Sequence, residues 1–157
     1  MEAISARDLG LHVGKEVGVS QWLEINQPLI DAFADLTGDH QFIHVDPDRA
    51  AREGPFGTTV AHGLLTLSLL PELARTAVPR LNGVRASVNY GFDRVRFVSP
   101  VRSEARIRGR YTLKDVEARG IDAILTVWEV RVEIEGEDRP ALIADWLGLR
   151  HLETATA

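Results

Sequence analysis

Hydrophobic residues follow a helical spacing in the first half of the chain and a spacing of two in the second half. Asn26 can cap a helix, and Gly38 suits the left-handed position that ends one. Four apolar residues lie on one face between them at helical spacing: Leu29, Ile30, Phe33 and Leu36. The pattern therefore predicts a helix between Asn26 and Gly38, with a strand at residues 16–25 before it.

Two more helices are predicted before the middle of the chain. Asp46 and Pro47 resemble an N-cap followed by a first-turn proline, which predicts a short helix that ends near Arg52. Residues 61–74 are apolar on nearly all sides, as in a helix buried within a core. Pro71 should kink this helix or end it locally, because proline lacks an N–H and its ring crowds the preceding turn.

The second half alternates apolar and polar residues, which is typical of strands with one buried face. The apolar positions are Val84, Ala86, Val88 and Tyr90, then Ala105, Ile107, Gly109 and Tyr111, then Ile121, Ala123, Leu125 and Val127. The phase shifts by one at Val130, which predicts a β-bulge near Trp128. Residues 141–150 are the last predicted strand. A buried helix followed by antiparallel strands predicts an α+β fold, with the sheet wrapped around the helix in the hot-dog architecture.

Composition limits the classes of function. The 157 residues predict one domain over 1–157, with a frayed tail at 152–157. The net charge of −5 argues against general nucleic-acid binding, and the lack of cysteine excludes thiolate nucleophiles and disulfides. The longest apolar stretch, Leu64 to Leu73, is too short to span a membrane. No signal peptide is recognisable, so a cytoplasmic location is expected.

Asp39 and His44 lie five residues apart just after the first predicted helix. A neighbouring carboxylate and imidazole can move protons near neutral pH. The local sequence allows other roles, since Asp39 could serve only the turn after Gly38 and His44 could be a hydrogen-bonded core histidine. His40 and His44 are four residues apart but lack the glutamate of the zinc-protease helix motif, so neither a metal ion nor a cofactor is expected.

The segment FADLTGDHQFIHVDPDRA resembles the hydratase signature of the MaoC-like dehydratase family, whose members include (R)-specific enoyl-CoA hydratases. The signature residues here are Phe33, Thr37, Gly38, Asp39 and His44. The Ala-His-Gly at residues 61–63 matches the start of the family's helix, and NYGFDRVRFVSPV at Asn89 to Val101 resembles its strand before an Arg-Phe-x-x-Pro-Val stretch. The resemblance implies a hot-dog domain that pairs with a second copy of the chain.

The resemblance also implies a reaction: water is added to a trans-2-enoyl-CoA to give an (R)-3-hydroxyacyl-CoA. Asp39 and His44 would activate the water and protonate the α-carbon. Gly63 begins a helix, so its backbone N–H is free of an intrahelical acceptor and could stabilise the thioester oxyanion, although this glycine could also serve close packing alone. Phe42 and Phe56 are expected at the substrate.

Several features depart from the family pattern or leave alternatives open. Gln41 and Phe42 replace an Asn-Pro pair, and Pro71 occupies a position that is polar in some relatives, where Ser68 is a candidate substitute. His62 is expected to bind the loop before its helix. Several arginines could meet coenzyme A phosphates or form a solvated face: Arg94, Arg96, Arg102, Arg106, Arg108 and Arg110.

The alternative functions are a hot-dog thioesterase, for which the helix offers only Glu72, and a non-catalytic acyl-thioester binding subunit.

Overall fold

The computed structural model describes residues 3–6 and 8–153. The helices are a 3₁₀ turn at Leu9–His12 and five α-helices: α1 (Gln27–Thr37), α2 (Phe42–Val45), α3 (Pro47–Glu53), α4 (Gly63–Ser68) and α5 (Leu70–Ala77). The strands are β1 (Ile4–Ser5), β2 (Glu16–Val19), β3 (Leu23–Ile25), β4 (Leu81–Asn82), β5 (Val84–Phe97), β6 (Ala105–Ala118), β7 (Ala123–Ile134) and β8 (Leu142–Leu152).

An antiparallel sheet in the order β2-β6-β7-β8-β5 wraps around α4 and α5, and β3 also pairs with β6. Strands β1 and β4 form a separate parallel pair. The core between helices and sheet contains Leu65, Leu70, Leu73, Ile107, Tyr111, Trp128, Val130 and Leu142. The predicted α+β hot-dog fold is confirmed.

Helix α1 begins and ends where the sequence predicts. The side chain of Asn26 accepts a hydrogen bond from the Leu29 N–H at 3.1 Å, and Gly38 has a φ of +76° at the C-terminal end. Ile30 is fully buried, but Leu36, which belongs to the same apolar face by sequence spacing, is 82% exposed. The apolar spacing therefore does not decide burial in the last turn of α1.

The predicted central helix is divided into α4 and α5 at Leu69. Pro71 is near the start of α5, where its missing N–H costs no hydrogen bond, so it interrupts the helix as predicted. Burial is not uniform around this segment: Leu65 and Leu70 lie in the core, but Leu64 is 59% exposed. The expectation of burial on nearly all sides is therefore wrong for Leu64.

Two strand predictions differ from the structure. Residues 16–25 form two strands rather than one, because Ser20 turns toward β6, where its N–H and Oγ bond to the backbone of Gly109. The bulge expected in β7 near Trp128 lies instead in β6, where the register shifts between Leu113 and Asp115. Strand β7 pairs with β8 without a shift. Ile121, predicted to lie in that strand, is outside it and exposed.

Strand β5 lies at the end of the sheet and pairs only with β8 among the described strands. Its alternation predicts one buried face, but Val88 and Tyr90 are exposed, Tyr90 by 62%. The residues on the other face of β5 are not buried either, because most of the strand is exposed. Thus β5 presents a long exposed edge that includes Val88 and Tyr90 to the outside of this chain.

The end of the chain is ordered further than predicted. Leu152 pairs with Val84 as the last residue of β8, and the Glu153 N–H donates to the Gly83 carbonyl at 2.9 Å. The prediction of a frayed tail from residue 152 is therefore wrong for Leu152, and its remainder at 154–157 lies outside the described residues. No helix in the described ranges is long and apolar enough to cross a membrane.

Candidate active site

Asp39 and His44 are brought together by the chain reversal after α1. Gly38 ends α1 in the left-handed conformation, and Asp39 follows it in an exposed loop. Helix α2 is a single turn that directs the His44 side chain inward, leaving it 8% exposed. The Asp39 carboxylate, a ring nitrogen of His44 and one of His62 lie within 4.8 Å of one another. The predicted pair therefore forms one cluster, with His62 as a third member.

The His44 ring is oriented by a backbone carbonyl. Its Nδ1 donates to the Val60 carbonyl at 2.7 Å, and the Val60 N–H in turn donates to the Ile43 carbonyl at 3.0 Å. Because a carbonyl only accepts, the hydrogen resides on Nδ1, and Nε2 keeps its lone pair in the neutral ring. Ser68, the candidate substitute for a polar residue at Pro71, is exposed and donates to Leu64. Ser68 does not orient His44.

A side-chain network fixes the backbone around His44. The Gln27 amide nitrogen donates to the His44 carbonyl at 2.7 Å and to Asp31 at 2.8 Å. The Gln27 amide oxygen accepts from the Thr59 hydroxyl at 2.6 Å. These bonds join α1, α2 and the segment before α4, and so hold the turn that carries His44 against Val60.

His62 supports both members of the pair. Its Nε2 donates to the backbone carbonyl of Asp39 at 2.9 Å, and its ring stacks on His44 with centroids 3.8 Å apart. Phe33 also packs against His62, with the two ring centroids 5.1 Å apart. The expected partner of His62, the loop before α4, is wrong: its hydrogen bond goes to the loop after α1.

The protonation of His44 depends on its burial. Burial lowers the pKa of His44 below the ordinary value of 6.5, and the neighbouring His62 also lowers it. The bond to the Val60 carbonyl and the charge of Asp39 act in the opposite direction and raise the pKa, but do not reverse the shift. His44 is therefore neutral at pH 7, with a free Nε2 able to accept a proton.

Gly63 begins α4 beside a cleft of about 300 Å³. As the first helical residue, it has no intrahelical acceptor for its N–H. The cleft is lined by Ile43, His44, Phe56, Val60, Ala61, Gly63, Thr66, Phe97, Val98, Ser99, Pro100, Val101 and Ala141. A Cβ built on Gly63 would lie 3.0 Å from the Phe97 ring, so a larger residue would narrow this opening.

The cleft contains only part of the substrate site expected from the sequence. Phe56 lines it, but Phe42 does not, and the Phe42 ring instead lies 4.2 Å from the Arg49 guanidinium carbon. The expectation for Phe42 is not supported by this geometry, because α2 turns Ile43 rather than Phe42 toward the cleft. Phe97 and Thr66 were missed, although the resemblance over Asn89 to Val101 includes Phe97.

The cluster does not fit a metal ion held by both imidazoles. A bound ion lies close to the plane of each ring, about 2.0–2.1 Å from its nitrogen for zinc. The His44 and His62 rings are stacked with an interplanar angle of only 26°, so their free nitrogens do not converge on one point. His40 is outside the cluster, with its Nε2 3.7 Å from Asp35.

Charged residues proposed for other roles lie away from the cleft. Glu72 is exposed and paired with Arg75, so it offers no carboxylate there for a thioesterase. Most of the strand arginines with a predicted phosphate role have acidic partners: Arg102 with Glu137, Arg106 with Glu135, Arg108 with Glu133, and Arg110 with Glu133 and Glu16. Those pairs favour the solvated-face interpretation over phosphate binding.

The family model described as MaoC like domain matches residues 8–134. The match includes the Asp39–His44 segment and residues 61–63. The chain belongs to the MaoC-like domain family. The family predicted from the spaced motifs is thus confirmed, and its members adopt the hot-dog fold described above.

The chain is also similar to individual members. It is 50% identical over 147 residues to Nodulation protein N of Rhizobium leguminosarum bv. viciae, a match covering 94% of this chain and 91% of that protein. It is 45% identical over 141 residues to 3-hydroxyacyl-thioester dehydratase Z of Mycobacterium tuberculosis, covering 90% and 92%. The solved MaoC-like dehydratase of Rhodospirillum rubrum matches its fold with a TM-score of 0.78 at 20% identity, covering 97% and 99%.

Proposed function

We propose that this member of the MaoC-like family is an (R)-specific enoyl-CoA hydratase, a hydro-lyase of fatty-acid metabolism. The observation that carries the proposal is the separation of the Asp39 carboxylate from a ring nitrogen of His44, at most 4.8 Å, together with the position of His44 in the lining of the cleft beside Gly63. A gap of that size fits one water hydrogen-bonded to both groups. The relative named 3-hydroxyacyl-thioester dehydratase supports the same chemistry, since hydration and dehydration are one reaction in opposite directions.

In the proposed reaction, a water bridges Asp39 and His44. Its oxygen bonds to the β-carbon of the enoyl thioester while its proton passes to one member of the pair. A proton from the pair reaches the α-carbon, so the double bond is saturated and no proton is gained or lost overall. The neutral His44 with its free Nε2 supports this exchange.

The thioester oxygen gains negative charge as the water attacks. The Gly63 N–H lies at the positive end of α4 and is the proposed donor to this oxygen. A single donor of this kind is worth about 3–4 kcal/mol of barrier. Phe56 and Phe97 line the same cleft and are the proposed apolar contacts of the substrate.

The test is hydration of crotonyl-CoA, followed by the loss of enoyl absorbance and by chiral analysis of the product. Asp39→Asn and His44→Gln should each abolish turnover while leaving the circular dichroism spectrum unchanged. His40→Gln is the matched control, because this exposed histidine lies next to Asp39 but outside the cluster. Near wild-type activity in either pair variant, or an (S)-product, would refute the proposal.

Two outcomes would favour the rival functions. Release of free thiol without a change in enoyl absorbance would indicate a thioesterase. Tight binding of crotonyl-CoA with no turnover by the wild-type chain would indicate a non-catalytic acyl-thioester binding subunit. Activity on acyl-carrier-protein substrates in place of coenzyme A thioesters would change the carrier in the proposal but not the chemistry of Asp39 and His44.

We further propose that the chain forms a homodimer through β5 and acts in the cytoplasm. A long exposed edge strand presents unpaired backbone groups, and β5 also exposes Val88, Tyr90 and Phe92. A second copy would cover this surface. Sedimentation velocity at micromolar concentration should report a dimer that Tyr90→Lys weakens. Ile121→Lys, at an exposed residue outside the strands, should leave the dimer intact. A wild-type monomer would contradict the proposal.

A further inference from the structure

Thr66, in the middle of α4, is a buried polar residue that the proposed reaction does not use. It is only 3% exposed, and this burial is produced by the single chain without a second copy. Thr66 lines the cleft beside Gly63, where His44 is the other buried polar residue. Buried hydroxyl groups are normally hydrogen-bonded, so the partner of this hydroxyl has to be found.

The other hydroxyl residues in the described helices bond to the backbone of their own helix. Thr37 and Ser68 each donate to the carbonyl four residues earlier, at 2.7 Å in both cases. Thr76 donates to the carbonyl three residues earlier at 3.3 Å. Such local bonds are the usual arrangement for serine and threonine within a helix. Thr66 differs, because its hydroxyl has no hydrogen-bond partner among residues 3–6 and 8–153.

The Thr66 hydroxyl is open to the cleft and is not sealed within the core. In the described ranges, the side-chain atoms that are completely buried without a partner are His62 Nδ1 and Arg150 Nε. The Thr66 oxygen is not one of them, so it contacts open space, and the cleft is the open space that Thr66 lines. A ligand in the cleft would therefore complete its hydrogen bonding.

The position of Thr66 relative to Gly63 indicates which ligand atom it can reach. The two residues are three apart in α4 and are therefore neighbours on the helix surface. Because Cα–Cβ bonds in a helix tilt toward its N-terminus, the Thr66 side chain extends toward the turn that begins at Gly63. Its hydroxyl can thus meet the same substrate atom as the Gly63 N–H, which in the proposed reaction is the thioester oxygen.

We propose that the Thr66 hydroxyl is a second hydrogen-bond donor to the thioester oxygen, beside the Gly63 N–H; this inference rests on the proposed function. A carbonyl oxygen has two lone pairs and can accept from both groups. The oxygen becomes more negative as water adds to the β-carbon, so both hydrogen bonds strengthen in the transition state. Thr66 keeps its proton throughout, and the proton transfers remain with Asp39 and His44.

Binding of two unreactive compounds tests this contact without turnover. Butyryl-CoA carries the thioester oxygen, S-butyl-CoA is the thioether that lacks it, and neither has a double bond to hydrate. In isothermal titration calorimetry on the full chain, Thr66→Val should weaken the binding of butyryl-CoA about twofold to tenfold and leave that of S-butyl-CoA unchanged. Thr66→Ser retains the hydroxyl and should bind both compounds as the wild type does.

Two results of the binding experiment would refute the contact. One is equal weakening of both compounds by Thr66→Val, which would indicate a loss of packing or a bond to another atom. The other is undiminished binding of butyryl-CoA by Thr66→Val. A wild type that does not bind butyryl-CoA would contradict the contact as well.

Hydration of crotonyl-CoA measures what the contact contributes to the reaction. Thr66→Val should lower kcat about tenfold to a hundredfold with a smaller change in KM, and Thr66→Ser should retain most of the rate. Ser68→Ala is the matched control, because this exposed hydroxyl of the same helix bonds to Leu64, and its kcat should not change. An unchanged kcat in Thr66→Val would overturn the catalytic role. Absence of hydration by the wild type would instead contradict the proposed function, and the binding comparison would still decide the contact.

Thermal unfolding and sedimentation separate a substrate contact from a structural role. Thr66→Val replaces a hydroxyl without a protein partner by a methyl group of similar size, so it should not lower the melting temperature. The sedimentation coefficient should also stay that of the wild type. A lower melting temperature, or dissociation into monomers, would show that a structural partner such as a group of a second copy binds this hydroxyl, and would overturn the proposal.

Discussion

The imidazole rings of His44 and His62 stack with centroids 3.8 Å apart and planes inclined by 26°. Each ring donates one hydrogen bond to a backbone carbonyl, His44 to Val60 and His62 to Asp39. The His62 ring therefore contacts both members of the proposed catalytic pair: it stacks on the His44 ring and bonds to the backbone of Asp39. A change at His62 should disturb the pair without removing either of its functional groups.

The first prediction concerns His62→Phe, which keeps an aromatic ring against His44 but loses the hydrogen bond to Asp39. We expect kcat for crotonyl-CoA hydration to fall by about tenfold to a hundredfold, since small misplacements of reacting groups cost that much. KM should change little, because His62 does not line the cleft. Steady-state kinetics provide the measurement. An unchanged kcat and pH profile would mean that His62 contributes to folding alone.

The second prediction follows from the burial of His44. Because its pKa is lower in the folded protein than in the unfolded chain, the unfolded chain binds more protons between the two values. The contribution of His44 to the free energy of unfolding is therefore fully present above the unfolded pKa of about 6.5. It is lost as the pH falls from there through the folded pKa.

Chemical denaturation of the wild type and of His44→Gln at a series of pH values measures this effect. Glutamine can still donate to the Val60 carbonyl but does not titrate. The difference in free energy of unfolding, wild type minus variant, should decrease as the pH falls below about 6.5. A constant difference down to acid pH would show that His44 has no lowered pKa.

The third prediction distinguishes two roles of Gly63: leaving space in the cleft and donating a hydrogen bond from its backbone N–H. Gly63→Ala should lower kcat/KM for crotonyl-CoA, because the new Cβ lies 3.0 Å from the Phe97 ring and narrows the cleft. Adding Phe97→Leu removes that ring and should restore part of the activity, since alanine retains the backbone N–H. Kinetics of the two single variants and the double variant provide the test. No loss of activity in Gly63→Ala would contradict close approach of the substrate.

The fourth prediction concerns the cap that starts α1. Asn26→Ala removes the acceptor of the Leu29 N–H and should destabilise the protein by about 1 kcal/mol. Asn26→Asp is the control, because aspartate caps a helix equally well. The midpoint of urea denaturation measures both variants. Equal midpoints for Asn26→Ala and the wild type would mean that another group satisfies this N–H.

Local signals in the sequence were sufficient where neighbouring residues alone decide the structure. Asn26 and Gly38 mark the two ends of α1 because capping depends on the adjacent backbone. Asp46 starts α3 in the same way, with its side chain accepting from Arg49 at 2.9 Å. Pro71 interrupts the central helix because its missing N–H and its ring act within one turn.

Predictions failed where a distant part of the chain decides burial or pairing. Leu36 and Leu64 fit an apolar helix face, but both are exposed. The change of phase near Trp128 indicates an irregular ladder, but the register shift lies in the neighbouring strand β6. Phe42 and Ile43 are adjacent in the sequence, and only the packing of α2 decides that Ile43 faces the cleft.

The sequence by itself determined the family and the hot-dog fold. It also singled out Asp39, His44 and Gly63 as the residues of the proposed site, because motif spacing is a property of the chain. Only the tertiary structure decided what orients His44. The acceptor of its hydrogen bond is the Val60 carbonyl. Every residue has a backbone carbonyl, so the sequence does not indicate which one His44 binds. The stack of His44 on His62 likewise arises from a contact between distant segments. Periodicity carries no information about such contacts, which depend on how strands and helices pack.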